Sequence, residues 1–224
     1  LATLLHNDLL QGEAATTFNS YYGAFRRNFS DRMRSYYAEQ IREIEALVRA
    51  SPNMRVLEVG CGLGTESLWL ALKGAQVTAL DVREDRIAGA QARLSVLQDQ
   101  VDRPLHVEFS MQSILDLAEA QPFDAVWMEQ AFHHLEPRSD VVAKIARLLK
   151  PGGHLVISEA NALNPLIQAE LLVRRGWPRV ETMTGPDGKD ILYGVERITT
   201  AHALGRAFAA HDIDRQSLRY FRMF

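Results

Sequence analysis

The stretch from Met54 to Asp81, MRVLEVGCGLGTESLWLALKGAQVTALD, leaves a chain of this kind few folds to choose from. Arg55 to Val59 is a short, mostly apolar run of strand-forming residues. Gly60, Gly62 and Gly64 then alternate through a turn, and Thr65 to Lys73 carries Leu68, Leu70, Ala71 and Leu72 at roughly helical spacing. Gln76 to Leu80 is a second buried-strand candidate and ends on Asp81. Strand, glycine loop, helix, strand and acid make one βαβ unit, the repeating element of a parallel sheet.

The chemistry of this unit suits a nucleoside. Glycines take backbone conformations closed to other residues and let a ligand come close. The loop feeds a helix N-terminus, where free N–H groups and the helix dipole favour negative charge. Asp81 stands 21 residues after Gly60, at a strand tip, where a carboxylate can accept from both ribose hydroxyls. The dinucleotide fingerprint is G-x-G-x-x-G. Here the glycines read G-x-G-x-G, with Glu58 two residues before the first. That acid is awkward beside a pyrophosphate and acceptable beside a cationic amino-acid ligand.

Glu58-Val59-Gly60-Cys61-Gly62-Leu63-Gly64 is an acid followed by x-G-x-G-x-G, and here the chain resembles the class I S-adenosylmethionine-dependent methyltransferases of small-molecule type. Two later stretches extend the resemblance. Phe123-Asp124 opens an apolar strand that is followed by His134-Leu135, and Leu149-Lys150-Pro151-Gly152-Gly153 precedes another. It runs from about Arg55 to Glu159, nearly half the chain. The resemblance implies S-adenosylmethionine as methyl donor and S-adenosylhomocysteine as product. It implies cofactor contacts at Glu58, Gly60, Gly62, Gly64, Asp81, Val82, Met111, Gln112, Ser113, Glu129 and Gln130. Gln112 stands where the family usually has an acid. Its amide oxygen can accept the same hydrogen bond from an adenine amino group. The implied reaction is methyl transfer to an O, N or C atom of a small apolar or aromatic metabolite. His133 and His134, after the fourth strand, are the candidates for a general base. His134 matches a histidine common in this motif, which points to architecture rather than to substrate chemistry.

Strands and helices alternate along the chain, so the expected fold is α/β. It is a doubly wound, mostly parallel Rossmann-like sheet with helices on both faces and extra N-terminal helices. One domain over 1–224 is expected: 1–52 an N-terminal helical lid or cap, 53–161 the cofactor-binding core, and 162–224 substrate-side helices, a loop and a last strand. Phe18, Tyr22, Phe25, Phe29, Met33 and Tyr36 form a helical stripe, and Ser30-Asp31 is placed to cap a second helix. Tyr21, Tyr22 and Phe25 would line an apolar substrate pocket; the plainer reading packs these helices on the sheet. Glu159 and Asn161, at the fifth strand's tip, are further substrate contacts. Residues 114–121 read as a short helix, 181–196 as a loop over the site, and 217–224 as a strand. A seventh strand is not found, and Leu1 in place of a start methionine reads as an incomplete N-terminus.

Net charge is −3 over 224 residues, unlike the basic surface of a nucleic-acid binder, so the expected partner is a small molecule. No apolar run reaches the roughly 18 residues of a membrane span. A single cysteine, Cys61, fits a reducing compartment and a cytoplasmic location. A homodimer is an allowed assembly. No metal is expected, although His133 and His134 with Glu129 could mimic part of a site. Two other readings are kept: a nicotinamide-dependent oxidoreductase, and a methyltransferase-like binding protein without chemistry.

Overall fold

The computed structural model describes residues 10–27, 30–185 and 188–221, with the backbone alone for 24–27. Five strands form one parallel sheet: β1 (Arg55–Val59), β2 (Gln76–Asp81), β3 (Val107–Met111), β4 (Phe123–Glu129) and β5 (Leu149–Ser158). Their spatial order is β3-β2-β1-β4-β5. The direction of winding reverses between β1 and β4, so a crevice opens beyond the carboxyl ends of the central strands.

Successive strand residues enter different cores, as pleating requires. Val56, Val77, Ala79, Ala125 and Trp127 face one side. There they meet Ile41, Ile44 and Val48 of α2 (Asp31–Ala50), Leu68 and Leu70 of α3 (Thr65–Leu72), and Ile87 and Ala90 of α4 (Glu84–Gln98). Leu57, Val59, Leu80, Val126 and Met128 face the other side. They meet Val141, Val142, Ile145 and Leu148 of α5 (Arg138–Leu148) and Phe208 of α7 (Ala201–Ala209). Helices therefore cover both faces, which is why β4 reads as one apolar run.

The N-terminal segment forms α1 (Gly12–Arg27) and α2, divided at Ser30, whose Oγ accepts from the Met33 N–H at 3.3 Å. α1 lies on α4, and Phe18 is sunk beside Leu10 and Leu63. Phe29 and the side chain of Phe25 lie outside the described residues.

Three expectations change. Residues 114–121 hold one 3-10 turn, Ile114–Asp116, which ends at Leu117 in an extended conformation; the residues after it form bends and no helix. Ser113 caps the turn by accepting from the Leu115 N–H, and this path lets Ile114, Leu115 and Leu117 all reach the same core. The expected loop at 181–196 is an antiparallel hairpin of β6 (Arg179–Thr184) and β7 (Asp190–Val195). Gly185 and Gly188 mark only its turn. Residues 217–221 form no strand. Arg219 instead pairs with Glu39 at 3.2 Å and Glu43 at 3.0 Å, which lays this segment along α2 away from the sheet edge. The remaining positions, 222–224, lie outside the described residues.

After β5, α6 (Pro165–Arg175) buries none of its residues. Among the described residues no helix is long and apolar enough to cross a membrane. Ile145 is fully buried where α5 meets β4, and an empty space there cannot collapse easily. Ile145→Ala is expected to lower unfolding free energy by about 2–5 kcal/mol, read by urea denaturation.

Candidate functional site

The crevice is assembled by strand ends. Asp81 pairs in register with Met111, and Glu129 with Ser158, so the tips of β2, β3, β4 and β5 line up beside the glycine loop that follows β1. The loop needs its glycines. Gly60 has φ +76°, and a Cβ there would lie 2.6 Å from that of Ala131. Asp81 ties the loop to β2: Oδ2 accepts from the Gly62 N–H at 2.9 Å, and Oδ1 from the Arg83 N–H at 3.0 Å. A carboxylate has about four acceptor sites, so both oxygens keep capacity for a ligand's hydroxyls. Burial pushes the Asp81 carboxyl up, against the pull of those backbone N–H groups.

Behind the loop lies a buried polar layer. Glu58 is 2% exposed and takes a hydrogen bond from Ser67 Oγ, so the motif acid faces α3. Its carboxyl is raised well above the usual range, by burial first and by neighbouring Glu66 second. Tyr37 donates to Glu66, and Tyr22 Oη lies 2.7 Å from Thr65 Oγ. Arg93, 1% exposed, donates to the Leu63 carbonyl and to Thr65 Oγ.

The two tyrosines of α1 part company here. Tyr22 is a strut beneath the loop. Tyr21 bends over it, its hydroxyl 2.9 Å from where a Gly62 Cβ would stand. The Arg86 guanidinium lies 3.9 Å from the Tyr21 ring centroid. The phenol is pushed up to about 12 by desolvation, with Arg86 pulling down and Glu129, Glu66 and Asp81 each adding to the rise. The residue as a whole stays 46% exposed, with its hydroxyl directed at the glycine loop. Beside it, Val82, Arg83, Met111, Met183 and Thr184 line a cavity of about 530 Å³, between the β2 and β3 tips and the hairpin turn.

The remaining expected contacts divide. Gln112 Nε2 donates to Ser110 Oγ at 2.7 Å, which commits its NH₂ and leaves the oxygen as the acceptor. Ser113 spends its hydroxyl on the cap. Gln130 turns the chain at φ +47° and donates its N–H to the Ser158 carbonyl. Asn161 uses Oδ1 on the Leu163 N–H at 3.0 Å, a local turn.

The histidines belong to a second cluster. The 3-10 turn Phe132–His134 follows the β4 tip and is clasped from above by β7. His133 is 5% exposed. Its Nδ1 lies 2.7 Å from Glu159 Oε2, and its backbone N–H donates to Glu159 Oε1 at 3.3 Å. His134 Nδ1 lies 2.8 Å from the Gly194 carbonyl oxygen, and its ring stacks on Tyr193 at 4.5 Å and 15°. Burial first, and His133 second, pull the His134 imidazole below its ordinary value. Glu196 Oε2 completes the corner 3.8 Å from His133 Nε2. Glu196 and Tyr193 were not singled out in the sequence; the acids found beside His133 are Glu159 and Glu196, where Glu129 had been considered. Glu159 had a usable signal: it directly follows the strand paired with β4, so it must neighbour the residues after β4.

Comparison with known proteins agrees with this geometry. A family profile described as "Methyltransferase domain" matches residues 57–157. A ubiquinone biosynthesis O-methyltransferase of Xanthomonas campestris pv. campestris is 41% identical over 114 residues, covering 50% of this chain and 45% of the relative. One of the same name from Xylella fastidiosa is 38% identical over 127 residues, covering 54% and 49%. The chain spans about half the length of these relatives. In fold it is similar to the magnesium protoporphyrin IX methyltransferase of Synechocystis PCC 6803 with bound SAH (TM-score 0.62, 17% identity, 95% of each chain). It is also similar to a Burkholderia thailandensis 1,6-didemethyltoxoflavin-N1-methyltransferase (TM-score 0.52, 21% identity, 89% of this chain and 76% of the other).

A buried acid with a raised value binds its proton more tightly in the folded state, so its contribution to stability is present at low pH and is lost as pH rises. Glu58, Glu66 and Asp81 share that sign. Glu58→Gln should flatten the fall in stability that begins near the ordinary Glu value of 4.5, read by denaturation across pH 4 to 8.

Proposed function

We propose that this chain, which belongs to the class I S-adenosylmethionine-dependent methyltransferase family, transfers a methyl group to an oxygen, nitrogen or carbon atom of a small, apolar or aromatic acceptor. The observation that carries the reading is Asp81. Its two carboxylate oxygens are fixed by separate backbone N–H groups and aimed at the crevice beside a glycine loop.

The residues present suit S-adenosylmethionine. Asp81 would hold the two ribose hydroxyls, and Val82 with Met111 would flank the base. The Gln112 oxygen would accept from its amino group. Glu129 and Asp81 supply negative potential at the crevice, favourable to a sulfonium and an ammonium and unfavourable to a pyrophosphate. Gly60, Gly62 and Gly64 keep the loop low enough for close approach. When bound, the cofactor supplies an electrophilic methyl, and its product is S-adenosylhomocysteine.

The chain's own contribution is alignment and proton handling. Orientation of well-placed reactants is worth roughly 7–11 kcal/mol in general. Tyr21 roofs the crevice and limits water. The cavity walled by Val82, Met111 and Met183 would receive the adenine, with Arg83, Glu84 and Asp85 on its polar side. An oxygen acceptor is favoured because the sequence relatives are O-methyltransferases. Its proton would pass to Nε2 of His133, whose Nδ1–H is held by the Glu159 carboxylate; the pair stabilises the imidazolium once formed. His134 orients its neighbour by ring contact at 3.9 Å. The net charge of −3 favours a small-molecule acceptor over a nucleic acid, and the lone Cys61 is in keeping with the cytoplasm.

Calorimetric titration with S-adenosylmethionine, beside NADH as control, tests the cofactor. Micromolar binding of the first alone is expected, and Asp81→Ala should weaken it by at least about tenfold, a loss of about 1.4 kcal/mol. Binding of NADH alone would overturn the reading. With an acceptor in hand, His133→Ala should lower turnover by about 10²–10⁴ with cofactor affinity unchanged.

A further inference from the structure

We infer that His133, His134 and Glu196 form a binding site for a borderline divalent cation of the zinc class, with Glu159 and Gly194 as outer partners. One ligand atom from each of the three residues lies within 4.8 Å of the others.

The hydrogen bonds set the imidazoles for coordination. A carboxylate oxygen only accepts, so His133 Nδ1, 2.7 Å from Glu159 Oε2, carries the proton, and the neutral ring keeps its lone pair on Nε2. A carbonyl oxygen likewise only accepts, so His134 carries its proton on Nδ1 toward Gly194 and keeps the Nε2 lone pair. Ligating histidines are held in this way, with the second nitrogen donating to a carboxylate or a backbone carbonyl. In that neutral form His133 Nε2 faces Glu196 Oε2 at 3.8 Å as one acceptor toward another. Bonds of about 2.1 Å in a tetrahedral zinc site put ligand atoms about 3.4 Å apart, so a few tenths of an ångström would close this pair round a cation.

The surroundings fit as well. Arg175 donates to Glu196 Oε1, which steadies the carboxylate and leaves Oε2 toward the histidines. Tyr193 clamps the His134 ring by stacking. Two imidazoles and one carboxylate match zinc, cobalt or nickel; magnesium and calcium prefer all-oxygen shells. Three protein ligands leave a fourth position for water or a substrate atom. Bound metal would occupy the lone pair that His133 needs for proton transfer, so zinc should inhibit methylation. The inhibition, unlike the binding, rests on the proposed function.

The test is titration of the chelator-stripped full chain with ZnCl₂ by calorimetry and with CoCl₂ by visible absorption. One cation per chain and a tetrahedral cobalt band are expected. Glu159→Gln should weaken zinc binding by about 10–100-fold as an outer partner, and His134→Ala should abolish the cobalt band. His154→Ala, on exposed β5 surface, should leave both unchanged. Far-ultraviolet circular dichroism and thermal melting of the same samples report whether each variant is folded, and S-adenosylmethionine titration is run beside them. Absence of zinc heat and of a cobalt band in the native chain overturns the site, whatever the variants do. So does zinc binding that survives in a folded His134→Ala, Glu196→Gln double variant. Zinc binding in a chain that takes no S-adenosylmethionine would leave the site standing and the methyltransferase reading fallen.

Discussion

One buried guanidinium holds the crevice in shape. Arg93 sits in α4, yet it donates to the Leu63 carbonyl inside the glycine loop and to Thr65 at the start of α3. Its other faces lie over the rings of Phe18 and Tyr22 in α1, at 5.0 and 5.7 Å. A charge this deep is costly unless hydrogen bonds and opposite charge compensate it, and removing one partner of such a group destabilises far more than a surface pair would. Burial draws the guanidinium's value down, while Tyr22 and Glu66 draw it back. The same contacts that satisfy the charge also fix the loop from behind and seat the N-terminal helices, so the roof over the crevice and the floor beneath it share one anchor.

That anchoring explains what the sequence could reveal. The glycine loop and Asp81 are close in sequence and bound by short-range geometry, so spacing alone located them. The doubly wound sheet followed from alternation, and the split of Leu57 and Val126 from Val56 and Ala125 into opposite cores is the physical form of that pattern. Tyr21 and Tyr22 were beyond such reasoning. Neighbours on a helix point about 100° apart, so only one can roof the crevice, and which one depends on how α1 docks. Glu196 and Tyr193 were harder still, because they reach His133 and His134 across about 60 residues through a hairpin packed on the turn after β4. Composition hid the hairpin, since the glycines that make its turn dominate the segment.

The motif acid teaches a related lesson. The family resemblance placed Glu58 among the ligand contacts, and the structure turns its carboxylate toward Ser67 under the loop. Its part is therefore felt through the shape of the loop. Glu129 and Asp81, the acids that act on Tyr21 in the crevice, would favour positive charge there over the phosphates that the nicotinamide reading needs.

The β6–β7 hairpin forms a sheet of its own and touches the rest of the β structure through the bridge between Leu135 and Tyr193. Such a unit can swing out as a cooperative local opening while the main sheet stays folded. Opening would carry Tyr193, Gly194 and Glu196 away from the histidines together, dismantling one wall of the corner in a single motion. If His133 takes the acceptor's proton as proposed, access for the acceptor and assembly of this corner would be two ends of one equilibrium, and an acceptor that favours the closed form would draw the hairpin down with it.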